Sequence, residues 1–167
     1  VGAHARGTTH GRVRVYTWNK ANKKWVQKGT DLIGEEKYDF AGAVLDMSAN
    51  GDMVAVGAYK NSGGGGHGNG HVRVYTWTGL DWKQIGPDID GEEIDGQAGI
   101  SVDLSASGTR LAVGAHENSL ENTKYHAGHV RVYEFDTATR DWKQMGNDIN
   151  GESQFDYSGS AIDLNDA

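Results

Sequence analysis

The sequence predicts an all-β fold of three four-stranded antiparallel sheets, and three observations predict it. A six-residue phrase recurs, VRVYTW at 13–18 and 72–77 and VRVYEF at 130–135. A longer unit repeats around it about every 57 residues. No stretch carries a 3.6-residue apolar period of useful length. Short runs rich in valine, tyrosine, tryptophan and threonine instead lie between clusters of glycine, asparagine and serine.

Each copy reads as the same series. VGAH opens at Val1, VGAY at Val56 and VGAH at Val113. The recurring phrase follows, then Trp25-Val-Gln-Lys-Gly29, Trp82-Lys-Gln-Ile-Gly86 and Trp142-Lys-Gln-Met-Gly146. Next come DLIGEE, DIDGEE and DINGES, and each unit closes with GAVLDMSANG (42–51), GISVDLSASG (99–108) or GSAIDLN (159–165). The units span approximately 1–55, 56–112 and 113–167 within a single repeat domain 1–167. Internal repeats of this length identify repeat architectures.

Four strands are expected per unit. AVLDMS or SVDLSA forms the first; a glycine turn, ANGD or ASGT, leads to MVAVGA or RLAVGA. VRVYTW forms the third and DWKQIG the fourth. In the first copy of VRVYTW, Val13 and Val15 take one face, and Arg14, Tyr16 and Trp18 the other. Bulk on both faces predicts a sheet sandwiched between neighbours. Antiparallel four-stranded sheets repeated at this spacing fit propeller-type blades.

The phrase GISVDLSASGTRLAVGA at 99–115 resembles the FG-GAP repeat, the blade unit of integrin-α-type propellers. The glycine of its name falls at Gly42, Gly99 and Gly159, while its phenylalanine is replaced by Ala41, Ala98 and Ser158. The resemblance implies a propeller blade and, by association, adhesion or surface binding in an extracellular or cell-surface setting. The chain starts in the second strand of a unit and ends in the first, giving twelve strands. Three completions follow: an excerpt of a longer propeller, two copies closing a six-bladed ring, or copies joined end to end. Exposed strand edges recruit partners, which makes a homo-oligomer or end-to-end array the expected state.

Composition narrows the partners. A net charge of −7 with no basic run argues against nucleic acid and anionic membranes. No apolar run approaches the ~18 residues of a membrane span. Cysteine is absent, which removes disulfides and thiolate metal sites.

Few residues point to chemistry. Asp46, Asn50 and Asp52 lie where integrin-type blades carry calcium ligands, making calcium the one cofactor to test; the matching loop from Asp103 to Gly108 holds too few carboxylates, and Asp163 opens a third. Acidic stretches recur as Asp31, Glu35, Glu36 and Asp39; as Asp88, Asp90, Glu92, Glu93 and Asp95; and as Asp148, Glu152 and Asp156. They fit a solvated rim or a divalent-cation rim. Threefold repetition argues against a catalytic carboxylate pair, which is normally unique. The histidines at 4, 10, 67, 71, 116, 126 and 129 fit loop and strand-edge positions, with His71 and His129 matching Arg12. GGGGHGNG at 63–70 lacks the helix a phosphate loop requires and reads as an insertion.

Three residue classes recur as structural candidates. Arg14, Arg73 and Arg131 are expected to pair between strands with Asp46, Asp103 and Asp163. Trp25, Trp82 and Trp142 are expected to anchor the packing, with sugar stacking as the second use of an exposed member. No nucleophile with its base is legible, so the expected function is non-catalytic: an adhesion or self-assembly module working through strand edges and loops. The alternative is a carbohydrate- or divalent-cation-binding propeller using the acidic rim with Tyr59 and Tyr125, its ligand a glycan or a protein.

Overall fold

A computed structural model describes residues 2–3, 10–62, 68–120 and 124–165. The fold is all-β, with no helix among these residues. The glycine loop expected at 63–70 lies mostly outside them, as do His4, His67 and Asp166.

Among the described residues, fifteen strands form four antiparallel sheets. The first unit supplies β1 (Gly2–Ala3), β2 (Arg12–Val13) and β5 (Leu32–Ile33) in one sheet, and β3 (Tyr16–Asn19) with β4 (Lys24–Gln27) in a hairpin. The next sheet contains β6 (Val44–Met47), β7 (Met53–Ala58), β8 (His71–Trp77), β9 (Trp82–Gln84) and β10 (Ile89–Asp90). The last contains β11 (Ser101–Leu104), β12 (Arg110–Ala115), β13 (His129–Asp136), β14 (Asp141–Gln144) and β15 (Ile149–Asn150). We refer to these as the first, middle and last sheets, counting β3 and β4 with the first.

The four-strand expectation is one short. In the middle sheet β9 pairs with residues 75–77 of β8, and β10 returns to pair with residues 71–72. The last sheet repeats this with β14 and β15 on β13. Between the two short strands the chain turns at Gly86 or Gly146, both with φ of +70°. Two short strands thus share the edge of one long strand. A further difference lies at 161–165, where a first strand was expected and the chain is in no ladder.

The sheets stack face to face. Val13, Val15 and Leu32 pack on Val54, Val56 and Trp82 of the middle sheet. The opposite face of that sheet, with Ala55, Val72, Val74, Ile85 and Ile89, packs on Val102, Leu111, Val113, Ala115 and Trp142. Residues alternating along one strand therefore enter two different cores, which explains the bulk on both faces of the recurring phrase. Burial of each large apolar side chain stabilises the stack by about 1.5–3 kcal/mol.

The recurrent VGA has its own cause. A Cβ at Gly57 would lie 2.2 Å from the Gly99 carbonyl oxygen, and one at Gly114 would lie 2.1 Å from that of Gly159. The turn opening each closing segment presses on the preceding strand too closely for any side chain.

Candidate functional site

The polar residues that the sequence repeats converge at the junctions between sheets. At the junction of the first and middle sheets, Arg73 projects from β8 and binds Asp88 through Nε at 3.0 Å and Nη2 at 2.7 Å. Nη2 also meets Glu35 of the first sheet's unit. At the next junction Arg131 binds Asp148 through Nε at 2.8 Å and Nη2 at 2.7 Å, and meets Glu92 of the middle sheet's unit. Arg14 binds the matching aspartate, Asp31, through Nε to both carboxylate oxygens, at 2.9 Å and 3.0 Å. Each arginine thus holds an aspartate of its own unit. Arg73 and Arg131 also hold a glutamate of the unit before.

The expected partners were Asp46, Asp103 and Asp163, and this pairing is corrected. All three sit on the closing segments, and Asp46 and Asp103 bind backbone instead. Asp46 accepts the Leu104 N–H at 2.7 Å, and Asp103 accepts the Leu164 N–H. Each stitches one closing segment to the next. Asp103 also lies against Asp46: burial, and then Asp46 itself, push its carboxyl above the usual value despite the Leu164 N–H.

A motif longer than the Trp-to-Gly phrase explains the junction. Trp-x-Gln-x-Gly-x-Asp occurs at 25–31, 82–88 and 142–148. The glutamine amide donates to the aspartate four residues on, at 2.9 Å in Gln27–Asp31, 2.6 Å in Gln84–Asp88 and 2.8 Å in Gln144–Asp148. This leaves the carboxylate aimed at the arginine. Arg14 foremost, then Gln27, holds Asp31 below the usual carboxylate range, and Arg131 does the same for Asp148. At Asp88 burial opposes the shift, but Arg73 and Gln84 outweigh it. The constant offset from glutamine to aspartate was the available signal. The glutamates Glu35 and Glu92 gave none, because their partners come from a different unit.

The tryptophans complete the junction. Trp82 is 8% exposed and Trp142 6%, whereas Trp25 is 66% exposed. Trp82 donates its indole N–H to the Lys28 carbonyl at 2.7 Å, and Trp142 to the Ile85 carbonyl at 3.3 Å. Each forms an edge-on or tilted aromatic pair across its hairpin: Trp18–Trp25, Trp77–Trp82 and Phe135–Trp142, with centroids 5.1–5.4 Å apart. The Lys28 ammonium lies 5.0 Å and 5.2 Å from the Trp77 and Trp82 ring centroids.

The calcium candidates are engaged elsewhere. Asn50 accepts from Ser48 Oγ and from the Asp52 N–H, closing the turn. Asp52 pairs with Lys28 at 2.7 Å, and Asp46 is bound to Leu104. One other cluster has metal-ligand spacing among the described residues: Glu35, His71 and Asp88, with atoms within 4.8 Å of one another. The Arg73 guanidinium binds both of its carboxylates, so a cation already occupies that position.

His71 and His129 start β8 and β13 and are buried behind these arginines. Burial foremost, then the arginine charge, pushes both imidazoles below their ordinary value. Among the described residues His129 Nδ1 has no hydrogen-bond partner. The acidic loops carry pairs of non-glycine residues in left-handed backbone: Tyr38 and Phe40, Asp95 and Gln97, Phe155 and Tyr157. Asp39 and Asp156 brace two of these loops by accepting the Glu36 and Ser153 N–H groups.

No protein-family model matches the chain, and no curated protein matches it.

Proposed function

We propose that the chain is a non-catalytic repeat module of propeller-type blades, working in adhesion or structural self-assembly at a cell surface or outside the cell. The reading is carried by one observation. The two sheet junctions use the same tryptophan and arginine–glutamate contacts; the aspartate–backbone contact joins the middle sheet to the last and the last to residues 161–165, and the counterparts Trp25 and Gly146 lie exposed on the two outer faces. A stack built from one repeated contact extends or closes by adding the same contact again. The FG-GAP resemblance of residues 99–115 adds to the reading, as does the assignment of the repeated polar residues to the junctions.

The experiment is light scattering with size-exclusion chromatography and negative-stain microscopy of the 167-residue chain. Self-association at micromolar concentration, as a ring or a regular array, is the expected result. A particle of single-chain mass at all concentrations overturns the assembly reading.

A second reading rests on a polar cleft of about 390 Å³ lined by Glu92, Glu93, Asn118, Lys124, Asp148 and Asn150. Carboxylates and amides in a concave site suit hydroxyl-rich ligands such as glycans. A glycan array separates the two, since the cleft binds sugar whatever the oligomeric state.

A further inference from the structure

We propose that copies of this chain join head to tail, Trp25 of one copy entering the notch at Gly146 of the next. This deepens the self-assembly reading and rests on it.

The notch is defined by the two junctions inside the molecule. A Cβ at Gly29 would lie 2.7 Å from Trp82 Cδ1, and one at Gly86 would lie 2.8 Å from Trp142 Cδ1. The glycine of each Trp-x-Gln-x-Gly-x-Asp motif is therefore the seat of the tryptophan from the following motif. All three glycines have left-handed backbone, with φ of +78°, +70° and +70°. At Gly146 an added Cβ would meet nothing within 4 Å. The third seat is formed and open. Trp25, at the other end, is the exposed third tryptophan, already held edge-on against Trp18 at 5.2 Å.

The polar contacts have the same phase. Glu152 occupies in its unit the place of Glu35 and Glu92, and it is exposed. Arg14 occupies the place of Arg73 and Arg131. Seating Trp25 at Gly146 brings these two to the positions at which Arg73 meets Glu35 and Arg131 meets Glu92. The backbone agrees. β6 and β11 pair Val44 with Gly57 and Ser101 with Gly114, so the same register sets Ala161 of the copy that offers Gly146 opposite Gly2 of the copy that supplies Trp25. Among the described residues, 161–165 lie in no ladder, and β1 has one ladder partner, β2. Such a contact is heterologous, with different surfaces on the two copies.

A complementation experiment tests this. Trp25→Ser removes the plug from an exposed site, and Gly146→Asn fills the seat with a residue that accepts left-handed backbone. Circular dichroism checks that both variants fold. Each variant alone is expected to associate roughly ten-fold or more weakly than the unmodified chain, as for loss of a buried tryptophan anchor. Their equimolar mixture is expected to form a one-to-one pair of twice the 18.0 kDa chain mass, since each lacks a different half. If the unmodified chain associates and both folded variants associate equally well, the Trp25 docking is overturned and the assembly reading stands. If the unmodified chain never associates, both fall.

Discussion

Trp82 sits over Gly29 of the neighbouring sheet with its indole N–H on the Lys28 carbonyl, 2.7 Å away. Trp142 repeats the arrangement over Gly86. The contact combines apolar burial, one hydrogen bond and a backbone seat that admits no side chain. Trp82→Ala is therefore expected to lower unfolding stability by about 3–5 kcal/mol, the range for truncating a buried aromatic. Trp25→Ala, at an exposed site, is expected to change single-chain stability by less than about 0.5 kcal/mol. Guanidinium unfolding curves at low protein concentration measure both. Equal losses at the two sites would contradict the seat.

Arg73 joins two sheets through Asp88 and Glu35. Arg73→Met keeps the aliphatic stem and removes the guanidinium, leaving a half-buried carboxylate without its partner. A loss of about 2 kcal/mol is expected, in the range of hydrogen bonds to charged groups. Arg14→Met is expected to cost less, because its pair with Asp31 is more open to solvent. Thermal melts of both variants read the difference. A change within noise for Arg73→Met removes the bridging role.

His71 faces Arg73, Asp88, Glu35 and Asp90, and His129 faces Arg131, Asp148 and Glu92. Burial and the arginines hold both imidazoles neutral in the fold. Their folded values lie below the unfolded value of about 6.5. The unfolded chain therefore takes up protons first as pH falls. The stability from these groups is complete above pH ~6.5 and is lost as pH drops through the folded values. Asp31, Asp88 and Asp148 are held below 3.8, so their loss begins at lower pH. Unfolding midpoints are expected to fall between pH 7.5 and pH 5.5, and a His71→Gln, His129→Gln double variant is expected to flatten that slope. An unchanged slope in the double variant would place the acid sensitivity elsewhere.

The strands were legible because they rest on local patterns. Met53–Ala58 and Arg110–Ala115 follow short apolar runs after glycine turns, and the expected ends match the observed ones. Ile89–Asp90 and Ile149–Asn150 were not legible. Two residues carry no period, and their pairing depends on how much of β8 and β13 the preceding strand leaves free. The repeated arginines announced a partner, but several aspartates recur once per unit. The choice of Asp88 over Asp103 is made by the position of Gln84 and by which face of β8 meets the first sheet. Glu35 and Glu92 belong to the same problem, because contacts between units follow from stacking order, which local spacing does not encode.

Asp103 supplies the last prediction. It accepts the Leu164 N–H while lying against Asp46, so two carboxyls share one region. Burial foremost, and then Asp46, raise its folded value above 3.8. The sign is opposite to that of the histidines. The fold holds this proton more tightly than the unfolded chain, so the contribution is complete below pH ~3.8 and is lost as pH rises through the raised folded value. Above that folded value the charge on Asp103, buried and set against Asp46, opposes the fold. Asp103→Asn keeps an oxygen for Leu164 and adds an N–H toward Asp46, converting repulsion into a hydrogen bond. It is expected to stabilise the chain at pH 7 by about 1 kcal/mol, the net worth of one hydrogen bond. At pH 3.5 the gain should largely vanish. Differential scanning calorimetry at the two values measures this, and a destabilised variant at pH 7 would show that the ionised Asp103 is itself needed to bind the next closing segment.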